Sequence, residues 1–178
     1  MFTYKNHNKG FSLLEILLVL AIAAALVIGA FVIYPKAQSS QKVQLESYNI
    51  STIQSGIKSL YTSVSNYSGL TNQVALNADI FPENMVDGTT VRNSFKGVVN
   101  VLSGSTGPSG VAGSSFIIQY MNVPAAECVK LISAVGSNFY IIQVTGTPVK
   151  SATVPLDVAT TTSACRNATT NTIVFTSL

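Results

Sequence analysis

An α+β fold, with a long N-terminal α-helix packed on an antiparallel β-sheet, is predicted for this 178-residue chain by three patterns. An apolar run with a single charge occupies 11–34, apolar residues then recur at helical spacing from Ile50 to Tyr67, and the second half alternates strand-like runs with turn-forming clusters. The length suits a membrane helix plus one compact domain. Three segments follow: a leader over 1–10, an apolar helix over 11–34 and a globular part over 35–178.

The leader carries Lys5 and Lys9 and no acid, which by the positive-inside bias keeps the N-terminus in the cytoplasm and sends the rest outward. The apolar run that follows has 24 residues, enough to span a bilayer as a helix. Its only charge is Glu15, in Gly10-Phe11-Ser12-Leu13-Leu14-Glu15. An acid there opposes insertion, by roughly 2.5–3.5 kcal/mol at mid-helix and less near an end, so a later state must make use of it. The small residue Gly10 precedes the apolar run, whereas an ordinary secretory signal places its cleavage site after that run. Cutting after Gly10 removes the leader, retains the helix and creates a new amine on Phe11. The alternative, an Ala-x-Ala site within Ala21 to Ala25, leaves Glu15 without a role and severs the helix.

Pro35 is expected to kink the helix or loosen one turn without ending it. Ile50, Ile53, Ile57, Leu60, Val64 and Tyr67 mark one face of an amphipathic continuation, with Gly69 as the stop, which predicts a single helix from about Phe11 to Ser68. Gly69 to Lys96 reads as a connector with a helical turn around Phe81 to Met85. Strands are expected at Gly97 to Leu102, Ser115 to Val123, Asn138 to Thr145 and Asn171 to Thr176, with Ser103 to Ser114, which holds four glycines and Pro108, as a hairpin loop. A second helix is expected over Pro124 to Val135, with proline in its first turn. Cys128 and Cys165 fall in the exported part, where disulfides persist. One bridge between them is the default reading, and two separate buried thiols the alternative.

Composition narrows the function further. The chain is 47% hydrophobic with mean hydropathy +0.40 and only 10% charged. Losing Lys5 and Lys9 from ten basic residues leaves eight against seven acids, a balance that implies no nucleic-acid partner. The single histidine, His7, lies in the leader, so the processed chain offers no imidazole for a triad or a zinc site. Asp79, Glu83 and Asp87 recur every four residues, a spacing that on a helix would put three carboxylates on one face as oxygen ligands for Ca²⁺, but Pro82 interrupts it and a solvated connector is the better reading. No catalytic, metal or cofactor site is expected.

The order of basic leader, Gly10, apolar helix and Glu15 resembles the type IV prepilin signal. Leu60-Tyr61, Tyr67, Gly69-Leu70-Thr71, Ile80, Pro82-Glu83-Asn84-Met85, Phe95 with Gly97, Phe116 to Tyr120, Val123-Pro124 and Cys128 resemble the type IVb major pilins of enterobacterial colonisation pili and plasmid-encoded thin conjugative pili. The ten-residue leader and Phe11 are more typical of type IVa. The resemblance implies cleavage by a prepilin peptidase between Gly10 and Phe11, N-methylation of Phe11, and an assembly role for Glu15 opposite the Phe11 amine of a neighbouring subunit. It implies as partners further copies of the chain, the inner membrane before assembly, the inner-membrane pilus assembly machinery and a host or recipient-cell receptor. The C-terminal strand is expected inside the sheet. The function implied is a structural pilus subunit for adhesion, aggregation or conjugation. A pseudopilin of a type II secretion system or a minor pilin is the second reading, and a signal-anchored secreted enzyme the third.

Overall fold

The computed structural model describes residues 11–178, with side chains described for all of these except 30–36. Lys5, His7, Lys9 and Gly10, and with them one side of the expected cleavage site, lie outside the described residues. The chain divides into two compact units, up to Ser39 and from Ser40 onward.

In the first unit, helix α1 (Leu13–Leu60) begins one residue after Ser12, whose carbonyl accepts the backbone N–H groups of Glu15 and Ile16. The helix continues through Pro35. From residue 11 to 29 every described side chain is exposed, most of them Leu, Ile, Val or Ala. Among the described residues no helix is long and apolar enough to cross a membrane.

The second unit holds the rest of α1 and a five-stranded antiparallel sheet of order β3-β4-β7-β5-β6, formed by β3 (Val99–Gly104), β4 (Ser115–Val123), β5 (Ile141–Val144), β6 (Thr147–Lys150) and β7 (Asn171–Ser177). β7, the last element, pairs with β4 on one side and β5 on the other, so the C-terminal strand is central. Its Ile173 and Phe175 share one buried core with Ile50, Ile53 and Ile57 of α1, Phe116, Ile118 and Tyr120 of β4, and Leu131 and Ile132 of α3 (Ala125–Val135). α1 is also tied by polar bonds: Gln54 Nε2 donates to Asn138 O at 2.9 Å and to Ser177 Oγ at 3.0 Å.

The helix ends at Leu60, eight residues before the expected end at Ser68, and Leu60 and Val64 are exposed. Thr62, Ser63, Val64, Ser65 and Asn66 are weak helix formers whose side chains are β-branched or compete for backbone groups. Asn66 Oδ1 accepts the Ser68 N–H, and Tyr67 donates its N–H to Gly113 O while its ring packs at 4.8 Å on Phe116. The connector is more structured than expected. It contains α2 (Asn72–Asn77), a 3₁₀ turn at Glu83–Met85, and a small hairpin of β1 (Val86–Asp87) and β2 (Thr90–Val91) turning at Gly88, whose φ is +63°. The strand expected over Asn138 to Thr145 starts at Ile141, because a 3₁₀ turn takes Gly136–Asn138. Strand β6 and helix α4 (Val158–Ala164) are additions.

The outer edge of β3 is closed by a side chain. Asn72 accepts the Val101 N–H at 2.6 Å and donates Nδ2 to Val99 O at 3.0 Å, the two bonds a further strand would make, and Ser103 N–H reaches Leu70 O. β6, at the other edge, contains Pro148, which lacks an N–H and belongs at an edge.

Candidate processing and assembly site

Phe11 and Ser12 precede the first turn of α1 in non-helical backbone, and Phe11 is 80% exposed. A peptidase requires an accessible segment outside regular structure, and the described side of the expected cleavage site meets that condition. Glu15 lies in the first helical turn, where an exposed acid gains about 0.3–1 kcal/mol from the helix dipole. It lines one shallow groove with Phe11, Ile16, Val19 and Leu20. Its neighbours Leu13, Leu14, Ile16 and Leu17 are exposed hydrocarbon, and no ion pair among the described residues includes Glu15. The site is therefore an apolar surface carrying one anion beside an accessible non-helical segment.

Cys128 and Cys165 form a disulfide with their Cα atoms 5.9 Å apart. Cys128 lies on the buried face of α3, and Cys165 caps the C-terminus of α4, donating its N–H to Thr161 O. At the other end of α4, Asp157 is the N-cap, and its carboxylate accepts Thr160 N–H at 2.7 Å and Thr160 Oγ1–H at 2.8 Å. The backbone bond from Thr160 chiefly, and its hydroxyl next, hold the Asp157 carboxyl below the usual carboxylate range.

A second acid on α1, not singled out in the sequence, proves to be the most buried one. Glu46 has no exposed surface, and its Oε1 accepts both the N–H (2.7 Å) and the hydroxyl of Ser94, while Asn49 Nδ2 approaches Oε2 at 3.4 Å. Burial, followed by the charge of Glu46 and a hydrogen bond to it, pushes the Tyr120 phenol well above its ordinary value, which keeps that ring neutral. The segment that supplies Ser94 is itself fixed. Asn93 Oδ1 accepts the N–H groups of Phe95 and Gly97, and a Cβ on Gly97 would lie 1.7 Å from Met121 O, so only glycine fits. Period alone could have pointed to Glu46, which stands three residues after buried Val43 and four before Ile50.

Asp79, Glu83 and Asp87 fall on separate elements. Asp79 follows α2 with φ +52°, Glu83 opens the 3₁₀ turn, and Asp87 pairs with Arg92 at 3.4 Å on the surface. Among the described residues no group of three acids, cysteines or histidines could hold a metal ion.

Two family models match the chain: "PilS N terminal" over residues 40–178 and "Prokaryotic N-terminal methylation motif" over residues 5–31. The major structural subunit of bundle-forming pilus from Escherichia coli O127:H6 is 36% identical over 99 residues, covering 54% of this chain and 51% of that protein. The toxin coregulated pilin of Vibrio cholerae serotype O1 is 26% identical over 143 residues, covering 79% of this chain and 63% of that one. The chain thus spans about half to under two thirds of the length of these relatives. Two solved structures share the fold. They are TcpA, a type IV pilin from Vibrio cholerae El Tor (TM-score 0.60, 18% identity, 78% of this chain and 99% of that one), and the type IVb pilin of Salmonella typhi (0.61, 19%, 74% and 97%).

Proposed function

The chain belongs to the PilS family of type IV pilins, and from that premise we propose that it is a structural, non-enzymatic subunit of a type IV pilus, exported as a membrane-anchored precursor and polymerised through α1. The observation that carries this reading is the exposed hydrocarbon of residues 11–29 with its single acid, Glu15. Such a surface is unfavourable in water at about 25 cal/mol per Å². It has two suitable environments, a bilayer before assembly and the same surface of other copies afterwards.

In this reading the prepilin peptidase cuts between Gly10 and Phe11, the new Phe11 amine is methylated, and Glu15 meets that amine on a neighbouring subunit. An anion unfavourable in lipid becomes a register signal between copies, because a paired buried charge is far better placed than a lone one. The segment 11–34 is the membrane and filament-core helix, and 35–178 is the exported domain. The precursor resides in the inner membrane with its N-terminus in the cytoplasm, it is drawn out by the pilus assembly machinery, and the fibre stands on the cell surface for adhesion, aggregation or mating. Binding to a host or recipient-cell receptor belongs to the same proposal.

Intact-mass analysis of sheared surface fibres tests it. The expected species begins at Phe11, carries one added methyl group and dominates the preparation. A chain beginning near Leu26 would overturn the processing step. A chain abundant in the cell but absent from fibres would favour a pseudopilin of a secretion machine.

A further inference from the structure

We propose that the recess between the β5–β6 hairpin and the loop after Cys165 binds a carboxylate-bearing, hydroxyl-rich ligand of the kind an acidic sugar presents. The recess has a volume of ≈ 350 Å³, at the small end of the roughly 300–1,000 Å³ typical of ligand pockets. Both of its walls are fixed before any ligand arrives. On the hairpin side, Thr145 donates its N–H to Thr172 O at 2.7 Å, and Thr145 and Gly146 both take positive φ, +48° and +84°. Val144 and Thr147 pair across this two-residue loop, and positive φ at both loop residues is what such a hairpin turn requires, so the turn holds this wall in one shape.

On the loop side, Asn171 is 1% exposed and spends its amide on the backbone. Its Nδ2 donates to Val123 O at 2.9 Å and Asn167 O at 2.6 Å, and its Oδ1 accepts Asn167 N–H at 3.2 Å. The disulfide pins Cys165, the residue before Arg166. Fixed walls lower the ordering cost of binding.

The groups left over are those a ligand would use. Arg166 is in no ion pair among the described residues, and neither its guanidinium, nor the Asn167 side-chain amide, nor the Thr147 hydroxyl is engaged by another described group. One guanidinium fork matches one carboxylate. An amide and a hydroxyl, each both donor and acceptor, match the hydroxyls of a sugar ring. The apolar part is only Val144 and Ala164, with no large side chain on which an apolar ligand or peptide anchor would pack. A phosphate is less suited, because phosphate sites gather several backbone N–H groups or cations, and here one cation stands alone. The site lies within a single chain, so its test does not depend on fibre formation. The proposed assembly would add only repetition, which raises avidity.

The test is a titration of isotope-labelled full-length chain in detergent micelles, followed by NMR, with methyl glucuronide, the methyl glycoside of N-acetylneuraminic acid, glucose, glutarate and inorganic phosphate. The expected result is that an acidic sugar moves resonances at 144–147 and 164–171 with a Kd of about 1 mM, an ordinary figure for one ring and one charge. Glucose and glutarate should each bind at least about tenfold more weakly, and Arg166→Gln should weaken the acidic sugar by about tenfold, the effect of ~1.4 kcal/mol. Arg166 is exposed and in no ion pair among the described residues, so this variant should keep the parent spectrum elsewhere. Thr147→Val should narrow the preference for the acidic sugar over glutarate. Equal binding of glutarate or phosphate reduces the recess to a simple anion site and overturns the proposal, as does unchanged affinity in Arg166→Gln or a shift pattern centred elsewhere.

Discussion

Glu15 and Glu46 stand on the same helix and are treated in opposite ways by their surroundings. Glu46 is sealed from water, and Ser94 and Asn49 supply its hydrogen-bond donors from within the domain. Glu15 is exposed among leucines and isoleucines, and no ion pair among the described residues includes it. A carboxylate met by donors of its own chain contributes to folding. One that the described residues leave unmet, on a surface unsuited to water, fits the proposed role in assembly. Two substitutions separate these roles. Glu15→Ala should leave the thermal unfolding of the outer domain unchanged and cleavage after Gly10 intact, yet abolish or nearly abolish surface fibres in electron micrographs. Normal fibre yield would refute the assembly role, and failed cleavage would assign Glu15 to the peptidase signal. Glu46→Ala should instead leave the Ser94 N–H and the Asn49 amide buried without their acceptor, at about 1–3 kcal/mol each. Its domain should melt well below the parent, with subunit levels falling in step, and an unchanged melting curve would contradict the reading of Glu46 as a folding residue.

The two halves of the domain are stabilised differently as well, and the disulfide should produce the next effect in size. Cys128 and Cys165 are 37 residues apart, and loop-closure arithmetic assigns such a bridge about 4 kcal/mol. Cys128→Ser should therefore lower stability by up to that amount and loosen α3 and α4 first, which hydrogen exchange would register as lost protection in 125–165 while β3 and β4 stay protected. Uniform loss across the sheet would mean that the bridge supports the whole fold. A smaller effect is expected at the opposite edge. Asn72→Ala should free Val99 O and Val101 N–H at a partly buried edge, at about 1–3 kcal/mol, and expose a strand edge to pairing between chains. Light scattering on heating should rise earlier than in the parent. If unfolding and scattering both match the parent, the amide is not guarding that edge.

Much of this arrangement was legible in the sequence, for identifiable reasons. Ser115 to Val123 matches β4 at both ends because its apolar run is bounded by Gly113-Ser114 and Pro124, and Asn171 to Thr176 misses only Ser177. The bridge followed from two cysteines and an exported topology. The helix end was misplaced because Val64 and Tyr67 continue the 3-4 spacing, although a different force holds Tyr67, its packing on Phe116. β6 was missed because Pro148 argues against a strand, correctly for a central position and wrongly for an edge. At the candidate site, Glu15 stood out from sequence because a lone charge in hydrocarbon is conspicuous, and its role with Phe11 belongs to the proposal. Glu46 did not, because an acid amid Gln, Ser and Lys reads as a solvated face until the fold brings Ser94 to it.

The smallest effect concerns α4, a two-turn helix held covalently at its C-terminus and by one exposed carboxylate at its start. Its start carries a sequence signal, an Asp at the N-cap position in Asp157. The bonds from Thr160 require the ionised carboxylate, so the Asp157 pKa is lower folded than unfolded. A lowered folded pKa means that the cap contributes fully above the unfolded value of about 3.9 and loses its contribution as pH falls through the folded value. The protection of the Thr160 amide against hydrogen exchange, corrected for intrinsic rates, should therefore fall below about pH 4 in the parent. In Asp157→Ala it should be lower at neutral pH and flat across that window. The disulfide cannot mimic this, because it does not titrate. Parallel pH profiles for parent and variant would show that the bridge alone holds α4 and that the cap contributes nothing measurable.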